Sequence, residues 1–160
     1  MGYKEHFIIS MAFTGITTFI LGILVYLKKR KNKINITFGL YSWSISWWIL
    51  TQIGNVYGPS LETSWFWARV EQMGVIFIPT FFVHFVIALL ELNRKWLLRL
   101  CYTFSTIIAI LSPTTKLISP RAERKFGVIN FGEPGPVVSL TDYLFYYLYY
   151  LRFVETARSI

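Results

Sequence analysis

Residues Phe7 to Leu27 form an uninterrupted run of 21 residues without a charge. At 1.5 Å of rise per residue such a helix is about 31 Å long, the thickness of a bilayer's hydrocarbon core. In water a helix that is apolar all round has nothing to bury against, so the run predicts a membrane span. A cleaved signal peptide is the competing reading. The length, the weakly charged leading segment and the basic cluster that follows the run all argue against it.

Four further segments extend the pattern. Residues 34–57 carry no charge and end at the Gly58-Pro59 breaker. Residues 65–92 hold Arg69 and Glu71 near their start, Pro79 in the middle and His84 late. Residues 96–112 cross only if Arg99 snorkels to the interface along its aliphatic stem. Residues 137–156 include Asp142, Arg152 and a tyrosine-rich stretch. The expected fold is all-α, a multi-pass transmembrane helical bundle of about five spans forming one membrane-embedded domain. A loop over 113–136 carries a short β-hairpin-like segment within 126–136, because strand-forming Val128, Ile129 and Phe131 alternate with turn-forming Gly and Pro. Charged residues are only 15% of the chain, which fits.

The net charge of +8 comes from 16 Lys and Arg clustered between apolar runs, and so reads as topology and not as a nucleic-acid face. Lys28-Lys29-Arg30-Lys31-Asn32-Lys33 places five cations in six residues. Short loops this basic stay cytoplasmic. The expected arrangement has the amino terminus outside and the carboxyl terminus in the cytosol of a plasma-membrane protein. Ten cations then fall inside and six outside, four of the six in the 113–136 loop, where Glu123 and Glu133 partly offset them. Trp65 and Trp67 fit the outer headgroups, Trp96 the inner.

Ionisable groups inside a bilayer normally face protein or water. At 100° per residue, with Arg69 at zero, Thr80 falls at about 20°, His84 at about 60° and Gln72 at about 300°, while Glu71 falls near 200°. The third segment therefore turns a polar stripe toward its neighbours, and Glu71 stays near the outer interface or has a separate partner. In the second segment Thr37, Ser44, Thr51 and Asn55 share an arc of about 40°, a packing seam in which hydroxyls bond across the helix contact. Gln52, Asn55, Arg69, Gln72 and Asp142 come at similar depth at the outer end. They are either a structural polar cluster or part of an outward-facing ligand pocket, and Arg69 with Asp142 is the expected ion pair. Pro79 removes one helical hydrogen bond, which makes a hinge or only a bend.

His84 lacks a second ligand at i+3 or i+4, so neither a metal site nor haem is expected, and no cofactor is called for. It is read as a hydrogen-bonded histidine in the inner third. The lone Cys101 builds no disulfide. Walker, dinucleotide, G-x-S-x-G and HExxH signatures are missing, so no enzyme activity is expected of this chain. The abundant aromatics, Trp43, Trp47 and Trp48 among them, read as helix packing.

The order of these features carries a resemblance. The basic loop, Gly39-Leu-Tyr-Ser-Trp-Ser-Ile-Ser-Trp-Trp48, and Phe66-Trp-Ala-Arg-Val-Glu-Gln-Met-Gly-Val-Ile-Phe-Ile-Pro79 leading to Phe82-Val-His-Phe85 resemble the amino-terminal seven-helix membrane region of bacterial sensor histidine kinases. The likeness extends over most of residues 7–155 and is most specific in the third segment. It implies a sensory input region that detects an extracellular or membrane-borne signal and relays it to a cytoplasmic signalling module in cis or in trans. The expected partners are the lipid bilayer, a small-molecule or lipid signal and, as one option, a second copy of the chain. The departure from the family plan is the end at Ile160 after at most five spans, with no phosphoacceptor or ATP-binding segment, so kinase output is not carried over. A small transporter or channel subunit is the alternative, although inverted repeats and broken helices are missing.

Overall fold

A computed structural model of the chain describes residues 3–112, 122–125 and 129–132. Four helices account for most of them: α1 Tyr3–Lys28, α2 Lys33–Tyr57, α3 Leu61–Leu89 and α4 Lys95–Leu111. Their boundaries follow local chemistry. The Asn32 side chain accepts from Ile34 N at 2.9 Å and starts α2, which ends before Gly58-Pro59. Ser60 Oγ accepts from Thr63 N at 3.2 Å and starts α3, with Glu62 in the first turn complementing the helix dipole. α3 runs unbroken through Pro79. It closes at Glu91, whose φ of 52° is left-handed, with Leu92 N donating to Ile87 O at 3.0 Å. Glycine usually takes this closing position, and a glutamate there carries backbone strain.

The helices run up and down, with α2 between α1 and α3 and α4 packed on α3. Burial is inverted relative to a water-soluble domain. Among the described residues, six apolar side chains are buried against eleven polar or charged ones, most of them Ser and Thr. Large apolar side chains point outward instead, as with Phe13, 70% exposed, and Ile110, 66% exposed. Lipid inverts the usual sorting in this way: hydrocarbon outside gives apolar side chains no reason to turn in, and small polar residues let helices approach.

Two of the helices, over Glu5–Lys28 and Leu61–Leu89, are long and apolar enough to cross a membrane. The expected count of five is not supported. α2 has the length, but its buried Ser, Thr and Asn dilute its apolarity, and α4 has only 17 residues. The segment 137–156 lies outside the described residues. Residues Ala122–Lys125 and Ile129–Gly132 pair antiparallel, Ala122 opposite Gly132. Only the second of them lies within the expected 126–136 segment, and two four-residue strands are marginal as an element. The architecture is all-helical, and a hairpin is not supported as an element of it.

Close approach is built from small residues. At Gly54 a Cβ would run into the Trp67 ring, and at Gly74 it would lie 2.6 Å from Trp47 Cδ1, so α2 and α3 touch where side chains are missing. Between α1 and α2, Ser46 Oγ donates to Gly15 O at 2.7 Å and Asn35 Nδ2 to Val25 O at 2.7 Å. The expected hydroxyl seam of α2 is buried, but Thr37 and Thr51 bond the carbonyls of their own helix, Lys33 O and Trp47 O. A helical threonine reaches its own i−4 carbonyl more readily than a neighbour's.

Candidate functional site

α3 presents polar groups on two faces, one to α2 and one to α4. On the α2 side, Trp48, Gln52 and Asn55 are spaced i, i+4 and i+7 and so share one face. All three donate to Glu71: Trp48 Nε1 to Oε1 at 2.9 Å, Gln52 Nε2 to Oε1 at 3.4 Å, and Asn55 Nδ2 to Oε2. Trp47 Nε1 donates to Val70 O at 3.0 Å, and Ser64 Oγ to Asn55 O at 3.1 Å. Glu71 is buried, and Trp48, Gln52 and Asn55 meet it as neutral N–H donors. A buried carboxyl group is tolerated when its oxygens are hydrogen-bonded in this way.

The α4 face carries Thr80 and His84. Thr80 Oγ1 and Ser105 Oγ lie 2.6 Å apart, Ser105 Oγ also reaches Ile76 O at 3.3 Å, and His84 Nδ1 is 2.9 Å from Tyr102 Oη. With Ile76 packed beside Ile108, these pairs define an antiparallel register that brings Ser112 to the level of Gln72. At that level three polar side-chain atoms are left over among the described residues. Arg69 Nε, Gln72 Oε1 and Ser112 Oγ are buried and have no partner among the described residues. Arg69 lays its guanidinium on the Trp65 ring, 3.7 Å from the centroid.

Of the residues singled out in the sequence, the structure gathers Gln52 and Asn55 on Glu71. Arg69 and Gln72 sit on the other side of α3, and Asp142 lies outside the described residues. Glu71 has the separate partner set that its helical angle allowed. The spacing of Trp48, Gln52 and Asn55 was the signal for it, and it requires reading two helices together. Tyr102 and Ser105, the α4 partners, carried no signal of their own. Pro79 borders a cavity of about 340 Å³ with Tyr41, Trp48, Val75, Ile78 and Phe82. Among the described residues no three His, Cys, Asp or Glu side chains cluster as metal ligands would.

The sequence matches the family model described as the N-terminal 7TM region of histidine kinase over residues 10–154. The chain belongs to this family. No curated protein and no solved structure matches it. Family and structure agree that this is a membrane region: two helices have spanning length and apolarity, and the bundle turns its hydrocarbon outward.

Proposed function

We propose that the chain is the sensory input region of a signal-transduction protein, and that its signal is received at the outer end of α3. The observation that carries this reading is the contrast along the α3–α4 seam. Thr80, His84, Tyr102 and Ser105 satisfy one another, while Arg69, Gln72 and Ser112 leave three buried polar atoms unbonded among the described residues. Unpaired buried polar groups cost about 1–3 kcal/mol each, and whatever pairs with them in one state recovers that cost. Asp142 is the chain's own candidate for Arg69, and an extracellular or membrane-borne signal competes with it or completes the set. Binding that favours one arrangement shifts the population of α3 against its neighbours. Pro79 serves as the hinge, and a cytoplasmic module reads the inner ends. Catalysis belongs to that module.

In this reading α2 and α4 also cross the bilayer, at about 37 and 26 Å of helix rise, and the end bearing Lys28 to Lys33 faces the cytosol. Labelling a cysteine at Asn32→Cys from outside intact cells is expected to fail; ready labelling would reverse the orientation. For the sensing role, the measurement is basal histidine phosphorylation in membranes of cells carrying the system. Arg69→Gln is expected to shift it about fivefold or more, as a typical allosteric coupling would, with insertion intact. Unchanged phosphorylation would remove the outer α3 set from signal reception.

A further inference from the structure

The opposite end of the bundle holds a second feature, independent of the Glu71 and Arg69 sets. The α1–α2 turn and the α3–α4 turn meet there around a cavity of about 790 Å³. Lys33, Arg94 and Lys95 line it, with one opposing carboxylate, Glu91. Its remaining wall is largely apolar, including Ile87, Leu92 and Leu98. α4 begins at this cavity, and its N-cap residue Arg94 makes no side-chain capping bond, so first-turn N–H groups that an anion accepts well are left without that cap.

We propose that this cavity binds the phosphate headgroup of an anionic phospholipid. Three cations converging on one hollow select a negative group. A free phosphate would use only the charged rim, whereas a glycerophospholipid also covers the apolar wall with its glycerol and upper acyl carbons. The position supports the same choice, because turns that join membrane helices lie at headgroup level, where basic pockets between helices collect acidic lipids. Lys28, Lys29, Arg30 and Lys31 belong to the same basic turn but do not line the cavity. This separates a built site from general attraction of a basic surface to an acidic membrane. The inference needs the basic end at a membrane surface and does not need the sensing role.

The test titrates dioleoylphosphatidylglycerol into the purified, detergent-solubilised full chain and counts retained lipid by native mass spectrometry, with dioleoylphosphatidylcholine and inorganic phosphate as parallel arms. Phosphatidylglycerol is expected to be retained over phosphatidylcholine, and Arg94→Gln with Lys95→Gln to weaken it by roughly thirtyfold, about fivefold per cation. Lys33→Gln alone, which leaves the α3–α4 turn untouched, is expected to cost about fivefold and serves if the double variant does not fold. Lys28→Gln with Lys29→Gln and Lys31→Gln is expected to change binding by less than about twofold. Equal retention of the two lipids, or an equal loss in this last variant, would overturn the site. Inorganic phosphate binding as tightly as the lipid would overturn the choice of ligand. Signalling is not read in any arm, so a failed sensor reading and a failed lipid site remain distinguishable.

Discussion

The two seams of α2 are both close-packed and both use backbone carbonyls, yet among the described residues the seam with α3 adds a carboxyl side chain as acceptor. Against α1, Ser46 and Asn35 donate to the backbone carbonyls of Gly15 and Val25. Against α3, Trp47 and Ser64 likewise donate to the carbonyls of Val70 and Asn55, but Trp48, Gln52 and Asn55 donate to one carboxyl side chain, Glu71. A helical carbonyl cannot swing away or change its charge, so the first seam is fixed. A carboxyl group can rotate, exchange partners and carry a proton, so the Glu71 part of the second seam can be retuned by what happens around it. Residues that resemble one another in composition thus build one static contact and one contact with an adjustable centre on a single helix.

The largest test of this difference is Glu71→Leu. It strands three N–H donors at once and is expected to cost about 3 kcal/mol of bundle stability, followed by unfolding in bicelles. Glu71→Gln keeps an acceptor and is expected to recover most of it; equal losses would show that the acceptor is immaterial. Next comes Gly54→Ala, whose new methyl meets the rigid Trp67 ring, for about 2 kcal/mol. Gly15→Ala meets the flexible end of Leu50 and is expected to cost under about 1 kcal/mol. A reversed order would make the α1 seam the tighter one.

Smaller effects sharpen the picture at α4. A double-mutant cycle with Thr80→Val and Ser105→Ala is expected to give a coupling of about 1 kcal/mol, within the ~0.6–1.7 kcal/mol measured for bonds between membrane helices. Zero coupling would mean that α4 is held by shape alone. Ser46→Ala is the smallest, at about 0.6 kcal/mol, because the Gly15 carbonyl it releases keeps its place in α1. A loss as large as that of Glu71→Leu would erase the contrast between the seams.

Much of the architecture is legible residue by residue. Phe7 to Leu27 announces α1, the uncharged run 34–57 closed by Gly58-Pro59 announces α2, and the helical angle between Arg69 and Glu71 puts them on opposite faces, as the structure does. Single-helix reasoning stops at identifying what each face meets. Which side of α3 turns to α2 is decided by Trp48, Gln52 and Asn55 on another helix, and the preference of Thr37 and Thr51 for their own carbonyls depends on local backbone reach. The span count failed for a related reason. Residues that make α2 a good inner helix, its Ser, Thr and Asn, are those that make it look less like a membrane segment.

The same distribution determines how such a protein leaves its lipid. With hydroxyls and amides dominating its fully buried side chains, and its aromatics only half-buried, the bundle holds less hydrocarbon for water to expel than a globular core, and hydrating those contacts gives a smaller heat-capacity change. Outward Phe, Leu and Ile side chains would meanwhile seek one another between molecules. On dilution out of detergent the chain would clump through its exterior while its interior swells, the reverse of how a globular enzyme aggregates after its core is exposed.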